Sequence, residues 1–297
     1  MKYDFLDHDL LSRLGSLPVE ARVPMMGNVA GKHRSPHRGS SVEFAEYRKY
    51  VPGDDTRRLD WKAFARSDRF YIKEFEADTN LRAYFVVDAS GSMNFAGKGE
   101  SKVSYARRIA ASLSYLLVNQ GDAAGLSLCT DKLHLEVPPS RRPAHLERIF
   151  STLADLKPSG ETGLLGALHT IAEKISQRAF VVILSDLFTD PAALGDALQH
   201  LRYRKHDISV FHLMDPLEIG FEFERPHRFV DLEDNTTLVV EPALIADEYR
   251  TALRDFLTAV RAKCHDATAD YQLITTDTPL EPLLREFLTA RLPKSKR

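Results

Sequence analysis

The sequence is poor in the features that mark cross-linked, membrane-spanning or polyanion-binding proteins. It holds two cysteines, Cys129 and Cys264, in 297 residues. That number excludes a disulfide scaffold and a four-cysteine zinc site, and it fits a reducing compartment. There is one tryptophan, Trp61. No apolar run approaches the ~20 residues that a membrane helix requires. The longest runs, Tyr84–Val87 and Phe180–Leu184, have the length of strands. The first ten residues carry acids where a signal peptide has its basic and apolar regions. Neither charge is in excess: 40 Lys and Arg stand against 42 Asp and Glu, which excludes a whole-chain nucleic-acid coat. A cytoplasmic protein without a membrane span is expected. What is present is ordinary for a globular chain, with 43% hydrophobic and 28% charged residues. At ~150 residues per domain, one or two domains are expected.

Residues 4–17 read as a short amphipathic helix, with Leu10, Leu11, Leu14 and Leu17 at helical spacing and Pro18 ending it. Residues 27–41 read as a loop rich in Gly, Lys, Arg and His. Two β-like pieces follow, Val42–Tyr50 and Phe70–Glu76, separated by the turn-forming Pro52-Gly53-Asp54-Asp55. From Lys32 to Lys73 there are 11 basic against 6 acidic residues. The acids are interspersed and no nucleic-acid reading motif is present, so no nucleic-acid partner is expected. His33 and His37 flank Pro36 and read as solvated loop. Trp61 reads as core of the β-rich region.

From Leu81 the pattern changes to apolar strands alternating with amphipathic helices, which predicts a mostly parallel sheet covered on both faces. Strands are predicted at 82–88, 125–129, 133–137, 179–186, 208–215 and 271–276. The third, 133–137, returns from its predecessor through a Thr-Asp-Lys turn and reads as an antiparallel edge. Helices are predicted at 101–118, 144–156, 163–175, 191–205, 242–264 and 282–292. Residues 216–241 break the alternation and read as a hairpin or flap, with strands at Phe221-Glu-Phe-Glu and Thr237–Val240. The domain division that follows is 1–79, a helix, basic loop and β-rich extension, and 80–297, the α/β domain.

The chemistry concentrates in Phe85-Val-Val-Asp88-Ala-Ser90-Gly-Ser92. A buried strand ends, and three oxygen-bearing side chains follow at spacing two, so they can point the same way. The carboxyl end of a central strand is where open α/β sheets place their sites. Hard oxygen donors suit Mg²⁺. Other motifs fail on inspection. A phosphate-binding loop needs Gly, four residues, then Gly-Lys-Ser/Thr. Here five residues separate Gly91 from Gly97, and Lys98 is followed by Gly99. An EF-hand counted from Asp88 would have Met93 and Gly99 at its glycine and glutamate positions. The plain alternative is that Ser90 and Ser92 cap a turn and Thr162 caps the helix after it. Asp215 and Asp277 also end strands and read as turn formers. Cys129 reads as a small core residue.

Asp-x-Ser-x-Ser after an apolar strand resembles the metal-ion-dependent adhesion site of von Willebrand factor A domains. Gly160-Glu-Thr162-Gly resembles the loop that supplies that site's threonine, and Val181-Val-Ile-Leu-Ser-Asp186 the strand that supplies its second aspartate. The N-terminal part, Glu43-Phe-x₃-Arg-x-Tyr-x-Pro-Gly-Asp-Asp-x-Arg-Arg-Leu-Asp-Trp61-Lys-x₃-Arg66 and then Tyr71-Ile-Lys-Glu-Phe-Glu76, resembles the signature of the domain of unknown function 58 family. The resemblance implies a doubly wound, Rossmann-type six-stranded sheet with an N-terminal β-rich extension. It also implies a site for Mg²⁺ or Mn²⁺ made of Asp88, Ser90, Ser92, Thr162 and Asp186. Ser90, Ser92 and Thr162 would bind the ion directly, and the two aspartates would hold its waters. The implied activity is protein binding without turnover, through a partner's Glu or Asp. The implied partner is a MoxR-type AAA+ ATPase, whose genes often neighbour those of this family, or its client. The enzyme alternative is a Mg²⁺-dependent phosphohydrolase using Asp88 and Asp186, for which no general base, nucleophile or phosphate clamp is evident.

Overall fold

The computed structural model describes residues 3–22, 43–51, 60–67, 69–76, 81–131, 133–223, 225, 227–233 and 236–292. The chain divides into two compact units, residues 21–81 and residues 1–20 together with 82–297. The first twenty residues thus belong to the larger unit, not to the 1–79 extension that the sequence suggested. Their packing gives the reason. Helix α1 (His8–Leu14) is capped by Asp7, whose carboxylate accepts from Leu10 N at 3.0 Å, and it buries Leu10, Leu11 and Leu14. It is shorter than the expected 4–17. Val19 N donates to Gln120 Oε1 at 2.9 Å, and Gln120 Nε2 donates to Leu17 O at 2.8 Å. Tyr3 and Phe5 lie edge-on to Phe150.

The smaller unit contains β1 (Glu43–Lys49), α2 (Trp61–Ser67) and β2 (Tyr71–Glu76), with β1 and β2 antiparallel and a register shift between Phe44 and Glu46. Helix α2 was not expected. It begins at Asp60, whose Oδ1 accepts from Ala63 N at 3.1 Å. Trp61 is 62% exposed, which corrects the expectation that it is core. The inward position of this one-face helix goes instead to Phe64, which stacks on Phe70 at 4.4 Å. The Pro52–Asp55 turn, His33 and His37 lie outside the described residues.

The larger unit is built on β3 (Arg82–Asp88), β4 (Ala123–Cys129), β5 (Leu133–Ser140), β6 (Phe180–Ser185), β7 (Asp207–Met214) and β10 (Asp270–Thr275). Their order is β10-β7-β6-β3-β4-β5. All neighbours are parallel except β5, which runs antiparallel to β4 at the edge, as the sequence predicted. Strands β4, β6 and β7 are buried along their whole length, which is why they read as continuous apolar runs. One layer of helices, α5 (Leu164–Lys174), α6 (Pro191–Tyr203) and α8 (Pro242–Asp266), covers Val86, Val181, Ile183 and Val210. Helix α3 (Lys102–Asn119) packs with α4 (Pro143–Asp155) and α1 in the other layer, and α9 (Leu280–Arg291) closes the chain. This is a doubly wound, mostly parallel α/β sheet with helices on both faces.

Residues 216–241 hold α7 (Pro216–Gly220) and an antiparallel hairpin, β8 (His227–Val230) with β9 (Thr237–Val240). The strand expected at Phe221 does not form. Phe221 ends α7 in the left-handed region, at φ 49°, and turns the chain out of line. The hairpin's first strand starts six residues later.

Chain order fixes the site. The chain runs from β3 outward to β4 and β5, then returns to place β6 on the other flank of β3. The carboxyl ends of β3 and β6 therefore face a crevice from which the connections depart in opposite directions. Val87 pairs with Leu184, so Asp88 and Ser185 arrive side by side.

Candidate metal centre

Asp88 is the hub of the crevice. It is 1% exposed. Its Oδ1 accepts from Ser90 N at 3.0 Å, which bends the chain after β3. Its Oδ2 accepts from Ser185 Oγ at 2.7 Å and from Thr162 Oγ1 at 3.2 Å. Ser90 Oγ and Ser92 Oγ are 3.1 Å apart, held by the short 3₁₀ turn Gly91–Asn94.

Thr162 reaches Asp88 because its loop is pinned to the turn after β3. Ser159 N donates to Ala89 O at 2.9 Å, and Gly91 N donates to Gly160 O at 2.8 Å. Gly160 has φ +74°, a conformation that a side chain would strain. Thr162 Oγ1 also accepts from Leu164 N at 3.4 Å, so one hydroxyl both trims the start of α5 and serves the crevice.

Asp186, 1% exposed, follows β6. Its Oδ1 accepts from Phe188 N at 3.4 Å, and its Oδ2 accepts from Lys102 Nζ at 2.8 Å. Lys102 is fully buried and also donates to Glu218 Oε1 at 2.6 Å. Glu218 is held by α7: its Oε2 accepts from Asp215 N at 2.7 Å, while Asp215 Oδ1 accepts from Leu217 N at 2.8 Å, a capping box. Asp215 thus does form a turn, and its Oδ2 further accepts from Gly97 N at 2.9 Å. Cys129 is buried in β4, with its thiol pushed far up by burial and by Asp88.

The electrostatics follow from burial. Burial and then the nearby Asp186 push the Asp88 carboxyl above its ordinary value, against the pull of hydrogen bonds from Ser185 and Ser90. Burial opposes the Lys102 ammonium too, but Asp186 and Glu218 outweigh it and raise its pKa. Burial also raises Glu218, offset in part by Lys102. Asp88 is thus a buried carboxylate whose hydrogen-bond partners are all neutral, beside a second carboxylate. Such a charge calls for a cation.

The five residues singled out from the sequence lie in this one crevice. Asp88, Ser90, Ser92 and Thr162 are linked by hydrogen bonds, and Asp186 lies near enough for its charge to raise the Asp88 carboxyl. The donors, three hydroxyls and two carboxylates, are all hard oxygens and fit Mg²⁺. In an octahedron with bonds of about 2.1 Å, adjacent oxygens sit about 3.0 Å apart, which matches the Ser90–Ser92 spacing. Among the described residues no group of three or more His, Cys, Asp or Glu side chains forms a metal site, so an ion here would rest on the hydroxyls.

Sequence reasoning missed Lys102, Ser185 and Glu218. Glu218 was legible in Asp215-Pro-Leu-Glu218, a capping-box spacing. Lys102 sits at the first position of α3, where a cation opposes the helix dipole, a weak sign of a special role. Ser185 carries no local signal.

The fold and the crevice define a doubly wound α/β domain with an oxygen-lined site at the carboxyl ends of two central strands. The family described as Protein of unknown function DUF58 matches residues 46–262, and the chain belongs to it. The Uncharacterized protein Rv1480 of Mycobacterium tuberculosis is 27% identical over 257 residues, covering 85% of this chain and 80% of the relative. The Uncharacterized protein YeaD of Bacillus subtilis is 33% identical over 91 residues, 31% of this chain and 21% of the relative. Among solved structures, the conserved hypothetical protein BatB of Bacteroides thetaiotaomicron aligns at a TM-score of 0.48 with 13% identity, covering 73% of this chain and all of that one. The SpRpn10 VWA domain aligns at 0.40 with 11% identity, covering 72% and 96%. No helix among the described residues is long and apolar enough to cross a membrane.

Proposed function

We propose that the chain is a Mg²⁺-dependent protein-interaction module of the cytoplasm that binds an acidic residue of a partner and performs no turnover. The observation that carries this reading is the 3.1 Å spacing of the Ser90 and Ser92 hydroxyls beside Asp88, with Thr162 bonded to the same carboxylate. Ser90, Ser92 and Thr162 would hold the ion directly, and Asp88 and Asp186 would hold its waters. Neutral hydroxyls cancel little of the ion's charge, and this leaves it attractive to a carboxylate from outside. Lys102 already bonds two carboxylates, and nothing else cationic is bonded to the crevice residues among those described. This argues for binding over phosphate chemistry.

In keeping with the family resemblance, we take the partner to be a MoxR-type AAA+ ATPase of the same organism, or a client of that machine. The test is co-purification of the two proteins in Mg²⁺ and in chelator. Capture is expected in Mg²⁺ and lost in chelator or with Asp88→Ala. Capture that is indifferent to both would overturn the reading.

A further inference from the structure

The turn that leaves the β8 strand lies on the crevice. A Cβ built on Gly91, between the two serines, would stand 2.0 Å from Leu232 O and 3.2 Å from Glu233 Cα. The backbone of 232–233 is therefore in contact with the backbone of the Ser90–Ser92 turn, and glycine at 91 makes the approach possible. The turn is itself set: Asp231 Oδ1 accepts from Glu233 N at 2.7 Å, and Asp231 N donates to Thr236 O at 2.8 Å. The half-buried side chain of Glu233 lies close to Ser92, on the side of Asp88, Asp186 and Asp231.

A flexible glutamate would ordinarily swing away from three carboxylates into water. Here it stays, beside a hydroxyl that belongs to the oxygen set. A cation between these groups removes the conflict.

We propose that Glu233 is an internal carboxylate ligand of this centre, so that the 231–233 turn occupies the position that a partner's acidic residue would take. This rests on the reading of the crevice as a metal site. A partner's carboxylate then gains access by displacing the turn, and the hairpin is the element that moves.

The test uses the full chain with Mn²⁺ as the probe. Free Mn²⁺ is counted by electron paramagnetic resonance, and the waters on the bound ion by proton relaxation. Glu233→Ala is expected to weaken Mn²⁺ binding severalfold and to add one exchangeable water. Glutarate should then remove that water in Glu233→Ala at concentrations that leave the wild type unchanged. Gly91→Ala, which pushes the 232–233 backbone outward while leaving the glutamate carboxylate in the chain, should add the same water. If Glu233→Ala binds Mn²⁺ with wild-type affinity and hydration while Asp88→Ala has lost the ion, this inference is overturned and the metal site stands. If the wild type binds no Mn²⁺, or no better than Asp88→Ala, the metal site itself is overturned, and this inference with it.

Discussion

Lys102 Nζ lies 2.8 Å from Asp186 Oδ2, and both side chains are sealed from solvent. The same ammonium reaches Glu218 and lies 4.9 Å from the ring of Phe188. A buried pair is weak evidence for net stabilisation, because both charges were taken out of water. Removing one partner, however, strands the other.

Lys102→Met is therefore expected to lower unfolding free energy by ~3–5 kcal/mol, the usual cost of orphaning a buried charge. Mg²⁺ should recover part of the loss, since Asp186 is then free to serve the ion. Urea melts with and without Mg²⁺ measure both effects. An unshifted midpoint would contradict the assignment.

Thr162 separates hydroxyl from shape. Thr162→Val keeps the volume but removes one of the hydrogen bonds to Asp88, at a cost of about 1 kcal/mol. It should also weaken Mn²⁺ binding markedly. Thr162→Ser restores the oxygen and should restore both. Equal Mn²⁺ binding by the two variants would exclude Thr162 as a ligand.

Acid should destabilise the domain through two buried imidazoles. Burial lowers His206 and His212 from 6.5 to about 4. The unfolded chain therefore takes up these protons first as pH falls. Stability is full above about pH 6.5 and is lost progressively toward pH 4. Each unit of displacement is worth roughly 1.4 kcal/mol at most. His206 Nδ1 accepts from Ala179 N at 3.2 Å, so its protonation also breaks a bond at the entry to β6. Denaturation at pH 7, 5.5 and 4.5 checks the slope, which His206→Gln should flatten.

Arg291 ties the end of the chain to its beginning. It is 4% exposed, donates to Glu20 O at 2.7 Å and Ser209 Oγ at 2.9 Å, and pairs with Asp207 and Asp270. Its guanidinium lies 4.3 Å from the Phe180 ring. Arg291→Lys keeps the charge but not the planar fork, and it should cost ~2 kcal/mol or more, since charged hydrogen bonds are worth about 1.5–3 each. Thermal melts should show a lower midpoint. Protection of the 3–22 backbone in hydrogen exchange should fall with it.

The strands of the sheet were legible because burial on both faces leaves continuous apolar runs, and Arg82–Asp88 begins and ends where the pattern says. Asp88, Ser90 and Ser92 were legible because they are adjacent. Thr162 and Asp186 were legible through resemblance to a known pattern. The α2 helix was hidden in a seven-residue stretch whose side-chain spacing is too brief to set a period. The hairpin's first strand, His227–Val230, is mostly exposed and so lacks alternation. Glu233 and Lys102 act across 141 and 84 residues of chain, to Ser92 and Asp186. Local pattern is blind to such pairings.

The bond from Ser185 to Asp88 spans 97 residues. While the polypeptide is being synthesised, the serine loop exists long before β6 has left the ribosome. A nascent chain holding only β3 to β5 has a hydroxyl pair but no second flank to the crevice. Under the metal-centre reading proposed above, cation capture waits until β6 has inserted beside β3, and a truncated translation product carrying the whole serine motif is expected to bind no ion.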